Sequence, residues 1–169
     1  NNAKLFTGKA MSFDGVNDYV DIDSFNAVGD TMTFAFGINA NDTLGRVLDS
    51  NPNRFIISFN SNLLAIYAGA WHNFGAVTTG EHHRVVIYIN GTTAKCFVDG
   101  IQLGSDKTIT PIDLSSVTAT KIGAHYNGTS SNFSGNLSDF QLYNKAWTEP
   151  DVAFDYNNPN KLVTDSANT

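Results

Sequence analysis

Cysteine is almost absent: Cys96 is the single one in 169 residues. One thiol forms no internal disulfide, so the fold must rest on packing alone. The redox compartment is left open by the cysteine count. Ala94, Cys96 and Val98 share one face of an expected strand, which makes Cys96 a small buried hydrophobe. Basic residues are also few, ten Lys and Arg against sixteen Asp and Glu, for a formal charge of -6. That balance argues against a nucleic-acid partner, whose phosphates demand a Lys/Arg-lined surface. It argues equally against adsorption to anionic lipid. No apolar run approaches the roughly 20 residues that span a bilayer, so no membrane insertion is expected. No charged-then-apolar leader opens the chain, and a start at Asn1 rather than Met suggests a processed or excised piece. Glutamate occurs only as Glu81 and Glu149. Strong helix formers are therefore scarce, while Asn, Gly, Ser and Thr are frequent. Asn, Gly and Asp favour turns and tolerate left-handed backbone. This is the profile of many short strands joined by turns.

What is present is apolar alternation. Phe34, Phe36 and Ile38 fall on one face of a period-two strand. Val85, Ile87 and Ile89 repeat the pattern against Val86 and Tyr88. Arg54 to Phe59 and Leu63 to Ala68 form a hairpin around Asn60-Ser61-Asn62. Asn90-Gly91 and Asp99-Gly100 are two further hairpin signals. Shorter strands are expected at Met11-Phe13, Tyr19-Ile22, Gly45-Asp49, Ile101-Leu103, Thr120-Ala124 and Asn136-Tyr143. One helix is expected near the end. Thr148 is its N-cap, Pro150 lies in its first turn, Asp151 stands at the capping-box position, and Asn157-Asn158-Pro159 stops it after about two turns. The tail from Lys161 is polar and reads as frayed. A dozen or so short strands with almost no helix make an all-β sandwich or closed barrel, in one domain over 1-169 with its core at about 4-160.

The order of segments resembles a known family. Ala10-Met11-Ser12-Phe13-Asp14-Gly15-Val16-Asn17-Asp18-Tyr19-Val20 is similar to the opening signature of laminin G-like domains of the concanavalin A-like lectin/glucanase superfamily. Gly80-Glu81-His82-His83-Arg84-Val85-Val86-Ile87-Tyr88 resembles that family's W-H-H-V-A-V-T-Y strand, with Glu81 where the family often has Trp. Cys96-Phe97-Val98-Asp99-Gly100 looks like its Y-V-D-G hairpin. Lys121-Ile122-Gly123 and the run from Phe133 to Thr148 are similar to its closing strand and helix start. The resemblance implies an antiparallel two-sheet jelly-roll sandwich with one short C-terminal helix and with its first and last strands adjacent. It also implies ligands on the concave face or loop rim, and a structural Ca²⁺ as a common feature. Such a fold hosts lectins, glycosidases, adhesins and plain spacers, so it leaves function open.

The chemistry of a hydrolase is missing. Glycosidases of this superfamily resemble one another in carrying alternating acids on one strand, and hydrolysis needs a carboxylate pair at a fixed gap. No strand here has that pattern. Asp21 and Asp23 alternate, but no third acid follows. No nucleophile elbow G-x-S-x-G occurs. His82 and His83 are adjacent, point to opposite faces of a strand, and cannot share a metal without a bulge. The expectation is a module that is not an enzyme. Hard cations take carboxylates and backbone carbonyls. Asp139, placed where the superfamily often has a metal-ligating acid, with Asp14 as partner, is therefore the candidate Ca²⁺ pair. A sugar site needs an aromatic platform with amide or carboxylate partners. Two segments read as loops of that composition: Trp71, His72 and Asn73 with Phe74, and His125, Tyr126 and Asn127 with Gly128. Trp147, by contrast, is expected in the core. The expected role is a non-catalytic, lectin-like carbohydrate-binding module of a cell-surface, secreted or phage-tail protein, located outside the cell or on a virion and built into a larger multidomain or oligomeric assembly. The alternative is a structural or protein-binding module of such an assembly with no sugar site. The Asn-X-Ser/Thr triplets at Asn41, Asn90, Asn127, Asn132 and Asn136 are ascribed to the abundance of Asn.

Overall fold

The computed structural model describes residues 4-5, 10-22, 29-159 and 161-164. Among these the strands are β1 (Lys4–Leu5), β2 (Ala10–Asp14), β3 (Val20–Ile22), β4 (Thr31–Ala40), β5 (Arg46–Asn51), β6 (Phe55–Asn60), β7 (Leu63–Ala68), β8 (Trp71–Gly75), β9 (His83–Asn90), β10 (Thr93–Val98), β11 (Ile101–Gln102), β12 (Lys107–Thr108), β13 (Ala119–Ile122) and β14 (Ser134–Tyr143), followed by helix α1 (Glu149–Asn157). They form two antiparallel sheets. Sheet A runs β1-β2-β14-β4-β9-β10-β11, with β12 also on β10, and sheet B runs β3-β13-β5-β6-β7-β8. The expected jelly-roll sandwich is therefore observed. The N- and C-terminal strands are neighbours, as Ser134 pairs with Asp14 and Ser138 with Ala10.

The alternating residues explain the layers. Phe34, Phe36, Ile38, Val85, Ile87 and Ile89 project from sheet A into the space between the sheets, where they meet Leu48, Phe55, Ile57, Leu64 and Ile66 of sheet B. Cys96 lies in the same core, and burial pushes its thiol far above the ordinary range. At Gly123 (φ +90°), a Cβ would come within 2.4 Å of the Phe13 ring, so the end of β13 can close over the core only as glycine.

Sheet A also buries its other face. Ala35, Val86, Tyr88 and Phe97 are covered there by Trp147, Val152 and Val163. Thr33 ties the covering segment down, donating to the carbonyl of Lys145 (2.7 Å) and accepting from the Trp147 N–H (3.0 Å). Helix α1 begins as expected. Thr148 and Asp151 form a reciprocal capping box, with Pro150 in the first turn.

The hairpin signalled by Asn90-Gly91 forms as expected, with Asn90 paired to Thr93 around the turn Gly91-Thr92. Two local expectations change. The tail is not frayed as far as Thr164, since Val163 is buried against the Trp147 cluster. Residues 71-75 are strand β8 rather than loop. They alternate outward and inward like other strands, but the inward position at 72 holds a polar histidine, which hides the pattern. Asp23 lies outside the described residues. No helix among those described is long and apolar enough to cross a membrane.

Candidate functional site

Sheet B leaves its outer face without a covering helix among the described residues. Cross-strand register puts Lys121 opposite Asp49, Asp49 opposite Ile56, Ile56 opposite Tyr67, and Tyr67 opposite Trp71. Their strand neighbours Leu48, Ile57 and Ile66 face the core, so this row points to the opposite side of the sheet, where Lys121, Asp49 and Ile56 are still buried and Tyr67 and Trp71 reach the surface. From Asp49 to Trp71 it crosses three strand gaps, about 14 Å at the usual spacing of about 4.8 Å. A parallel row carries Ser58, Ala65 and Asn73.

Trp71 stands at the edge strand with 42% of its surface exposed. Its ring meets Tyr67 edge-on at 5.6 Å between centroids, a geometry that aromatic pairs favour. At the other end of the row the turn at residues 125-128 folds over β5. The Tyr126 N–H donates to the buried carboxylate of Asp49 (3.2 Å), which also takes a charged hydrogen bond from Arg46. The rings of His125 and Tyr126 lie 4.3 Å apart. Arg54, in the turn before β6, bridges the two ends. Its guanidinium lies over the Tyr126 ring at 5.6 Å, contacts His125 Nε2 at 3.0 Å, and shares with Tyr67 the wall of a hollow of about 390 Å³. Burial, and next the Arg46 guanidinium, hold the His125 imidazole below its ordinary pKa, which favours its neutral form.

Five of the six expected ligand residues thus border one face. Trp71 and Asn73 sit on β8, and His125, Tyr126 and Asn127 sit on the facing turn. Asn127 is partly committed, since its side-chain oxygen accepts from the Thr129 N–H and hydroxyl. His72 is the exception. It pairs with the core-facing Ile66, so its ring turns away from the Trp71 face. Consecutive strand residues cannot share a face. Tyr67 and Arg54 were missed. Tyr67 could have been found as the outward position between Ile66 and Ala68. Arg54 is a turn residue placed by the long-range packing of 125-128, which no local pattern announces.

Asp14 and Asp139 are not brought together. Asp14 pairs with Ser134 at the start of β14, whereas Asp139 follows Ser138 beyond the last β2 pair. The Asp14 carboxylate accepts from the N–H groups of Val16 and Asn17, and these bonds hold its pKa below the usual value. Asp139 accepts from Arg84 (3.1 Å) and Gln141 (2.6 Å). A hard cation needs several oxygens around one point, so this pair does not fit Ca²⁺. Thermal unfolding in Ca²⁺ and in chelator checks this: any difference between the two should be the same for wild type and Asp139→Ala. A shift abolished by that substitution would restore Asp139 as a ligand.

The larger hollow, about 600 Å³, lies elsewhere, beside α1, and is lined by Arg84, Asp99, Asp139 and Asp155 among others. Its charges serve the fold. Arg84 grips Asp155 through two hydrogen bonds (2.7 and 2.8 Å). Asp99 accepts from the Arg84 N–H (2.8 Å) and contacts His83 Nδ1 (2.7 Å).

A two-sheet jelly roll in this strand order is a lectin/glucanase-like fold. The chain belongs to the concanavalin A-like lectin/glucanases superfamily, whose laminin G-like model matches residues 14-153. No curated protein matches it in sequence. Solved structures share its fold at low identity. Domain 4 of AbnA, a GH43 extracellular arabinanase from Geobacillus stearothermophilus in complex with arabinotriose, superposes with a TM-score of 0.70 at 15% identity, covering 86% of this chain and 75% of that one. The heptameric SAP-like pentraxin of Limulus polyphemus gives 0.72 at 15% identity, over 87% and 81%. A Trypanosoma rangeli sialidase in complex with sialic acid gives 0.68 at 17% identity, over 93% of this chain but 29% of the sialidase. These likenesses establish the fold, not a ligand.

Proposed function

We propose that this domain is a non-catalytic glycan-binding module that lays a sugar chain across the strands of sheet B, from Trp71 toward Tyr126. The observation that carries this reading is the half-exposed Trp71, braced edge-on by Tyr67 and followed along one face by Arg54 and Tyr126. An indole face suits the apolar side of a sugar ring, and polar groups beside it suit the hydroxyls. The arabinotriose and sialic acid complexes of two structural neighbours support a saccharide as the ligand class. A binding role rather than hydrolysis is supported by the carboxylates of this face. Asp49 is fully buried against Arg46, and Asp21 lies 2.5 Å from the Lys121 ammonium. Neither is a free acid or base, and glycoside hydrolysis needs two. A module of this kind works on secreted, cell-surface or virion-surface proteins, attached to a larger assembly.

Trp71 and Trp147 are the two tryptophans, and Trp147 is 3% exposed. Titration with a panel of oligosaccharides should therefore give a saturable blue shift of the exposed Trp71 emission. A flat response across neutral and acidic glycans would leave the domain with a structural role.

A further inference from the structure

The reading of sheet B as a sugar face leaves the charge of Arg54 without a role. Arg46 and Arg54 converge on a single carboxylate, Asp49, and Asp49 is already committed to Arg46 and to the Tyr126 N–H through the same oxygen. Arg54 reaches only the other oxygen, at 3.6 Å, too far for a hydrogen bond, and that oxygen has no hydrogen-bond partner among the described residues. The Arg54 guanidinium is positioned instead by the Tyr126 ring and by His125 Nε2.

Donors outnumber acceptors around it. Nε2 of His125 faces Arg54, and Nδ1 faces the Asn127 N–H at 3.3 Å. A neutral imidazole accepts through one nitrogen only, so this ring cannot satisfy both donors. The charges agree. Lys121 pairs with Asp21 and Arg46 with Asp49, which leaves the Arg54 guanidinium as the cation of this strip, with Asp113 as the carboxylate that shares its hollow. Asp113, on the far wall of the Tyr67–Arg54 hollow, turns its carboxylate onto the Ser115 N–H (2.9 Å). Arg54 is 38% exposed along its side chain and opens toward the aromatic strip.

We infer that this face selects an acidic sugar, with Arg54 receiving the carboxylate of a uronic-acid unit while a neighbouring unit of the same chain stacks on Trp71 and Tyr67. This rests on the glycan-binding reading and adds the charge of the ligand to it. A guanidinium fork matches a carboxylate through two parallel hydrogen bonds, and such charge-assisted pairs are stronger than bonds to neutral hydroxyls. His125 and Tyr126 hold the fork before the ligand arrives, so little ordering remains to be done on binding.

The test compares a galacturonate trisaccharide and a glucuronate trisaccharide with their carboxyl methyl esters, which lose the charge and carry one added methyl group at each carboxyl. The acids should bind wild type at least tenfold more tightly than the esters at low salt. The advantage should shrink as salt is added. Arg54→Gln should cancel it, bringing acid and ester affinities together, with the melting midpoint near wild type. Equal or tighter binding of the esters, lost in Trp71→Ala, would overturn the acidic-sugar inference and leave the glycan reading standing. Binding of none of the four, or binding indifferent to Trp71, would overturn both. The acid–ester comparison on wild type decides the point even if the Arg54 variant folds poorly.

Discussion

Arg84→Ala is expected to lower the free energy of unfolding by roughly 3–5 kcal/mol, the range for breaking a buried ion pair by removing one partner. Arg84 lies on β9 with its side chain 13% exposed, and Asp155 on α1 is 3% exposed. The guanidinium also contacts Asp139 twice, at its carbonyl oxygen and its carboxylate, both at 3.1 Å. One side chain thus joins sheet A, the irregular turn of β14 and the helix. Removing it leaves the Asp155 charge buried beneath α1 without its partner. Urea unfolding monitored by circular dichroism measures the loss. A cost below about 1 kcal/mol, the level of a surface pair, would mean that this network does not hold the helix down. Asp155→Asn should cost less than Arg84→Ala, because an amide keeps the shape and leaves no unpaired anion.

A loss of similar size is expected in the core. Phe34 on β4 and Phe55 on β6 come from opposite sheets, are fully buried, and stack at 5.0 Å with 22° between their planes. Phe55→Ala removes the ring and leaves a cavity between the sheets, which costs roughly 3–5 kcal/mol. The paired substitution Phe34→Ala, Phe55→Ala should cost less than the two single losses added together, since each ring is the other's neighbour. Additive losses would show that the sheets are not joined through this contact.

The fold was legible because its information is local. Phe34, Phe36 and Ile38 announce a strand by alternation. Asp99-Gly100 announces a turn by its left-handed backbone, φ +52° and +79°. Thr148 and Asp151 announce a helix start by their spacing. The site was legible only in part, because it is assembled from distant pieces. The composition of residues 71-74 and 125-128 marked both segments, yet nothing local said that they border one face of sheet B. His72 departs from the expectation because β8 is a strand, and a strand, unlike a loop, sends neighbouring residues to opposite sides. The resemblance implies that Asp14 and Asp139 meet beside the first strands, and the β2–β14 register separates them. Tyr67 is readable from the alternation of β7, but Arg54 emerges only from the fold of a turn some 70 residues away, as in the Arg54–His125 contact.

The central claim, a sugar face built on Trp71, is tested most directly by one variant measured twice. Trp71→Ala should abolish saturable binding of whichever oligosaccharide wild type retains, while its urea unfolding midpoint changes by less than about 1 kcal/mol in equivalent stability, as expected for a half-exposed edge position. Retained binding would contradict the claim outright. So would a loss of roughly 3–5 kcal/mol, the cost of emptying a core aromatic site, because Trp71 would then support the sheet rather than face a ligand.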